Sequence, residues 1–460
     1  MSFLKAVDNK NRKLFLAIGI AVLAAILFIG GWIFISKSGF FYKKVDTGSQ
    51  KFSLDAQMYD VTRESDLQRG YMITRYMQVL QENRGVGPWV LNWVVIPGTT
   101  RSVPGFQSQY VDAFDQVLLL ETYVIEGKKS DAEKLMKAIE ANLLTEDGYL
   151  CEFAKVQDLS VKQDEAATTY DANALYEDPS FLLLEKAPAS LRATSSYLRV
   201  LMDYYDKWGS EKLLDRIKEL AAVLGKADKL TEYRVEDRLA RPTTVPVSEI
   251  LEATPTPTPT PDPENEEAPK LVSQDGLELQ GLDLLAMKRA GVIDPVHTKT
   301  YEKWLSIVKN GMISETLPLY AWVYLGEEKY CYYTGSNADV ELVPSLYTMV
   351  HLAEVGELDA ASYSWIQMKL MNTGYLYTKY NMLSGEASGE VEAYEAYPLV
   401  LELAVIKNDQ VLFEMAYSAM MRHYATLSTS QILYTYYRDV DDSRIELCAR
   451  ENLLAAIFLK

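Results

Sequence analysis

Helical periodicity constrains this chain more than any other feature. Apolar residues recur at helical spacing over 67–83, 108–126, 130–144, 187–209, 210–226, 276–289, 298–309, 341–355, 359–371, 391–406, 409–424 and 442–459. Many of the turns between these spans are a few residues long, which makes sequential neighbours antiparallel hairpins. "APASLRATSSYLRVLMDYYDKWG" runs straight into "SEKLLDRIKELAAVLGK", for example. Ser130, with Glu133 three residues on, is expected to cap the helix at 130–144. Turns reading "DGY" and "TGY" lead into short extended segments. Such a succession predicts an all-α fold, an (α/α)6 toroid of helical hairpins. Inner helices then surround a funnel, and residues at their ends line a cleft.

The rhythm breaks at "TPTPTPTPDPENEEAP", residues 254–269. Alternating Thr-Pro forms neither helix nor sheet, because proline removes a donor and restrains its neighbour, so the tract reads as extended polyproline II. It is either a linker between two domains or a loop pushed out of one. The hairpins resume after it, and long loops cost little extra entropy. We therefore expect a disordered Thr/Pro-rich loop over about 228–273 within a single domain, 51–460.

The first fifty residues differ in kind. A basic leader, 1–13, precedes "LFLAIGIAVLAAILFIGGWIFI", which runs uncharged from Leu14 to Ile35. That run is long enough to cross the roughly 30 Å hydrocarbon core as a helix. No small-x-small site follows it, so an uncleaved anchor is expected rather than a signal peptide. Lys5, Lys10, Arg12 and Lys13 put the N-terminus in the cytoplasm, leaving 36–50 as a tether and the domain outside the cytoplasm.

Composition narrows the function of that domain. A formal net charge of −18 and no basic stripe argue against a nucleic-acid partner. Cys151, Cys331 and Cys448 lack metal-binding spacing, His297, His351 and His423 are scattered, and no glycine-rich phosphate loop is present. Neither a metal nor a cofactor is expected. One disulfide with one free thiol is possible, and the sequence does not fix the disulfide state. The chain holds 31 tyrosines, several in turns such as "YCYYTG", "GYLYTKY" and "YTYYRD". Tyrosine in turns offers flat amphipathic surface suited to carbohydrate.

In "SQYVDAFDQVLLLETYVIEGK", 108–128, the apolar run ends on Gly127, which reads as a C-cap. At its other end Asp112 and Asp115 stand one helical turn apart and can share a face. They are either charges favoured by the helix dipole or part of a catalytic site.

The layout of 103–152 resembles that of glycoside hydrolase family 8. An acid-bearing helix start, an apolar run, a short turn, an amphipathic helix and a "DGY" extended segment follow in order. "ASLRATSSYLRVLMDYYDKWGSEKLL", "GSNADVELVPSLYTMVHLAEVG" and "EVEAYEAYPLVLELAVIKND" resemble later parts of that family. The resemblance is one of rhythm and covers most of 60–460. It implies an inverting glycoside hydrolase in which Asp112 holds the place of the general acid, with Asp115 one turn later. The family's Ser-Glu-Gly-Gln is replaced by "QYVDAFDQV". Its Asp-x-Asp is replaced by "PASLRATSSY", which brings Arg192 and no carboxylate. A base must then come from elsewhere, with Asp339 first and Glu392 next. Two carboxylates about 6.5–9.5 Å apart are what inversion asks for.

Each candidate also has a structural use. Asp339 is placed to cap a helix starting near Glu341, Glu392 to face solvent, and Arg192 to make a salt bridge. Trp89, Trp93 and Tyr110 suit either the mouth of a cleft or the core. Two functions follow from the resemblance. One is a membrane-anchored glycoside hydrolase-like protein acting on a cell-surface or exported polysaccharide or oligosaccharide. The other is a non-catalytic glycan-binding scaffold working beside polysaccharide synthesis or export proteins.

Overall fold

A computed structural model describes residues 44–54, 88–97, 106–108, 110–155, 189–227, 231–236, 240–242, 271–332, 339–430, 432–441 and 444–458. The expected anchor (14–35), the expected helix at 67–83 and the Thr-Pro tract lie outside the described residues. Among the described residues, no helix is long and apolar enough to cross a membrane.

Eleven helices are described: α1 (Ala113–Glu126), α2 (Lys129–Asn142), α3 (Leu191–Trp208), α4 (Glu211–Leu224), α5 (Leu284–Ile293), α6 (Thr298–Asn310), α7 (Leu342–Glu354), α8 (Ala360–Thr373), α9 (Ala396–Lys407), α10 (Gln410–Met421) and α11 (Ala449–Phe458). The odd-numbered helices form a ring. Helix α1 packs on α3, α3 on α5, α5 on α7, α7 on α9, α9 on α11, and α11 returns to α1. Helices α2, α4, α6 and α10 each pack outside the inner helix that precedes them. This is a toroid of helical hairpins.

Composition explains the two layers. Inner helices touch neighbours on nearly every side, and α9 buries every residue from Ala396 to Val405. Outer helices bury one stripe, as α4 does with Leu214, Ile217, Leu220, Ala221 and Leu224. Side-chain caps set several starts. Ser190, Ser210, Asp359 and Asp409 each accept a bond from a backbone N–H of the first turn. Gly127 ends α1 at φ 76°, the left-handed value expected of a C-cap glycine. Ser130 is not a cap, because α2 starts one residue earlier at Lys129 and has no side-chain cap.

The fold is mostly helical rather than all-α. Strands stand before several inner helices: β1 (Trp93–Pro97), β2 (Phe106–Gln107), β3 (Tyr110–Asp112), β4 (Phe153–Lys155), β5 (Thr231–Glu236), β6 (Ala240–Pro242), β7 (Leu271–Glu278), β8 (Val323–Gly326), β9 (Lys329–Cys331), β10 (Asp339–Glu341), β11 (Lys379–Asn381), β12 (Arg438–Asp441) and β13 (Arg444–Cys448). They form a four-stranded sheet (β12-β13-β1-β2), a five-stranded sheet (β5-β7-β8-β9-β6) and two ribbons (β3-β4 and β10-β11). Several expected helices are therefore shorter than their apolar spans, 108–126 among them, since α1 starts at Ala113 after β3. Helix 276–289 is strand β7, a 3-10 turn (Leu279–Gly281) and then α5, capped by Asp283. Helix 442–459 starts at Ala449 after a hairpin, and 391–406 starts at Ala396. The expected loop over 228–273 is also narrower, since β5, β6 and the start of β7 are paired strands within it.

Candidate active site

The starts of the inner helices converge on one end of the ring, and their polar residues meet there. Asp112 caps α1: its Oδ1 accepts from Phe114 N at 2.8 Å and Asp115 N at 3.2 Å. Its Oδ2 accepts from Arg450 at 2.7 Å, and Asp115 Oδ1 accepts from Arg450 Nε at 2.9 Å. Arg450 thus ties the start of the last described helix to the start of the first. Asp115 is fully buried and its Oδ2 has no hydrogen-bond partner. Burial pushes its pKa up to about 8, against the pull of Arg450 and with Asp112 adding to the rise. The helix-opening acids are therefore together, as the spacing implied, but both are spent on an arginine.

The sequence reading missed a second group beside them. Strand β3 pairs with β4 in the register Asp112–Phe153, and Ala113 N donates to Glu152 O at 2.9 Å, so Glu152 sits at the mouth of α1. Burial raises its carboxyl to about 7. Glu278 and then Asp112 add to the rise, and Arg192 and Arg450 oppose it. Glu278 ends β7 and accepts from Trp322 Nε1 at 3.2 Å and Gln280 Nε2 at 3.1 Å. Gln280 Oε1 in turn accepts from Arg192 at 3.2 Å. The Arg192 guanidinium lies 4.5 Å from the Phe114 ring centre and 5.5 Å from that of Tyr347. Tyr347 donates to Glu395 at 2.6 Å, and Glu395 immediately precedes α9.

Close backbone packing brings this group together. Ser195 Oγ donates to Gly281 O at 2.8 Å, and a Cβ on Gly281 would stand 2.8 Å from Arg192 N. The 3-10 turn therefore lies directly on the first turn of α3, placing Glu278 and Gln280 next to Arg192. Glu152, Glu278, Arg192, Trp322 and Glu395 are all partly exposed, unlike Asp115. A half-buried acid titrating near neutrality, beside a second carboxylate held by two N–H donors, is suited to proton transfer.

The remaining candidates lie apart. Asp339 is in the β10–β11 ribbon, where it accepts from Ser388 Oγ at 2.6 Å. It does not cap α7, whose N-cap, Glu341, makes no side-chain cap bond. Glu392 is not a solvated helix residue. It accepts from Tyr397 and from Arg422 at 3.2 Å, with His423 Nε2 at 3.3 Å. Those partners hold its carboxyl below its usual value, against the cost of burial. Trp89 is buried, Trp93 lies in β1, and Tyr110 meets Phe153 edge-on at 5.3 Å. Arg192 makes no carboxylate salt bridge among the described residues, its guanidinium going to Gln280 and the two rings. The three cysteines are free thiols.

Deeper in the ring, Asp283, His351 and Glu354 bring ligand atoms within 4.8 Å of one another. The Arg199 guanidinium lies among them. It donates to Asp283 at 2.7 and 2.6 Å and to Glu354 at 2.5 and 2.6 Å. His351 Nε2 lies 3.1 Å from Gln280 O. The arginine supplies the positive charge that these carboxylates need, and so competes with any metal ion there.

No protein-family model matches the chain, and no curated protein matches it. Solved structures do. An alpha-amylase from Clostridium perfringens is similar at 18% identity, covering 86% of this chain and 98% of its own, with a TM-score of 0.58. A beta-1,3-1,4-glucanase from Paenibacillus sp. X4 is similar at 11% identity, covering 89% of this chain and 95% of its own, with a TM-score of 0.52. Both are glycoside hydrolases. At these identities the likeness is one of fold, and the fold is glycosidase-like.

Proposed function

We propose that this chain is a membrane-tethered, extracytoplasmic glycoside hydrolase-like protein that acts on a cell-surface or exported polysaccharide. The observation that carries the reading is Glu152 beside Glu278 at the end of the ring where the inner helices start. Glu152 donates its proton to the glycosidic oxygen as the bond to the leaving sugar breaks. Glu278, held in place by N–H donors from Trp322 and Gln280, takes a proton from the water that attacks the anomeric carbon. Arg192 and Trp322, both partly exposed, offer a flat, hydrogen-bonding wall for the sugar. Asp112, Asp115 and Arg450 hold the mouth of the first helix in place rather than touching substrate. The uncharged run 14–35 behind a basic leader supports the anchor, with the domain 51–460 outside the cytoplasm and polysaccharide synthesis or export proteins as its neighbours.

A second reading is favoured by the locking of Asp112 and Asp115 on Arg450. The position that the family resemblance assigns to the acid is not available for proton transfer, and the ring then serves as a glycan-binding scaffold. Purified full-length protein in mild detergent, offered a panel of bacterial exopolysaccharides, distinguishes the two. A hydrolase releases reducing ends, and Glu152→Gln and Glu278→Gln each stop the release without abolishing glycan binding. Binding with no release from any glycan establishes the scaffold.

A further inference from the structure

Just downstream of the uncharged run, residues 44–54 are fastened to the ring at the end opposite the carboxylates. Thr47 is buried, and its hydroxyl donates to the Asp206 carboxylate, with Oδ2 at 2.7 Å. Arg289, itself almost wholly buried, donates to Thr47 O at 3.3 Å, Thr47 Oγ1 at 3.2 Å, Asp206 at 2.9 Å and Asp203 at 2.7 Å. Val45 N donates to Tyr205 Oη at 2.9 Å, and Lys44 Nζ to Asp206 O at 2.9 Å. Phe52 and Leu54 pack against the core. Asp203, Tyr205 and Asp206 are in the last turns of α3, and Arg289 is in the second half of α5. Arg192, in the candidate site, is in the first turn of α3.

We propose that this clasp fixes the orientation of the protein on its membrane: the lipid headgroups lie against the clasped end, and the carboxylates face away from them. The proposal rests on the anchored reading of 14–35. Helix α3 spans 18 residues, so the two ends of the ring are about 27 Å apart. From Ile35 to Lys44 the chain reaches at most about 30 Å. That slack lets the ring stand off the bilayer, but Lys44, where the described chain begins, is held at the clasped end. The site therefore meets glycan arriving from the outer medium. It is placed to act on polymer that has already left the bilayer, after the step that releases or exports it, and not on a saccharide still attached to lipid in the headgroup layer.

The test uses the full chain reconstituted in vesicles that carry an energy acceptor on their outer headgroups. Val296→Cys places a donor dye on an exposed position just after α5, at the clasped end; Leu427→Cys places it beyond α10, at the site end. Cys331 and Cys448 are buried, and the unsubstituted chain measures what Cys151 contributes. The expected result is a larger loss of donor emission at 296 than at 427. Equal losses, or a larger loss at 427, in protein that floats with the vesicles overturn the orientation and leave the anchor standing. Protein that does not float overturns the anchor and the orientation together.

Discussion

Glu152 and Asp115 are both acids raised by burial, yet they act on different properties of the molecule. Glu152 is half open and bears on activity. Because its proton is lost as pH rises through about 7, hydrolysis should decline on the alkaline side of a pH profile from that point. Glu152→Gln should lower turnover by roughly 10²–10⁴-fold below that pH, with the gap to the unsubstituted protein narrowing above it, while glycan binding persists. Asp115 is sealed and bears on stability. Its folded pKa lies above the unfolded value, so the stability it contributes is complete below about 4 and is lost as pH rises through about 8. Asp115→Asn removes that titration and keeps an acceptor for Arg450. Melting temperatures of the two proteins should therefore diverge in favour of the variant between pH 5 and 9, and parallel curves would exclude a raised acid here. Asp112 and Asp115 were legible as a pair from their spacing alone. Their partner was not, because Arg450 lies more than three hundred residues away and nothing local signals it.

At the scale of elements, helices with a clean apolar stripe and a nearby cap residue were legible to within a residue or two: α4, α6 and α8 match their expected spans closely. The short extended segments expected after "DGY" and "TGY" are there as β4 and β11. Strands β3, β7, β10 and β13 were not legible, because each continues into the helix after it, β7 through a 3-10 turn, so one apolar run hides two periods. "LVSQDGLELQGLDLLAMKRAG" shows this best, with strand, 3-10 turn and helix in succession. Glu278 and Gln280 were missed for that reason, since a helix there would have scattered them around its face. Gly281 is the pivot. A Cβ there would stand 2.8 Å from the backbone nitrogen of Arg192, which cannot swing aside as a side-chain end would. Gly281→Ala should cost about 1–3 kcal/mol by overpacking. Because the same turn holds Glu278 and Gln280, it should also weaken glycan binding beyond what the stability loss explains. Chemical denaturation and isothermal titration of the variant check both, and an unchanged midpoint would show that the turn has room to move.

The whole molecule is a ring, and a ring has a seam. The contact between α11 and α1 is that seam, and its polar part is Arg450 held by Asp112 and Asp115. Everywhere else around the described ring, neighbouring inner helices follow one another through an outer helix or a loop, but these two are joined across nearly the full length of the domain. Closure therefore brings the largest loop entropy in the fold, and it must be secured by contacts formed late. Arg450→Ala would leave Asp112 and Asp115 buried with no arginine between them, a loss of about 3–5 kcal/mol for a broken buried pair. The size alone would not separate a seam from any other buried arginine, so the rescue is the informative measurement. In Asp115→Asn/Arg450→Met, an amide that stays neutral at every pH replaces the sealed acid and a side chain of similar length fills the space. Stability should recover in part, with a coupling energy of about 0.5–3 kcal/mol between the two positions in a double-mutant cycle. Simple additivity would mean that Arg450 stabilises the seam through packing on Phe114, whose ring centre it approaches at 5.3 Å, rather than through its charge.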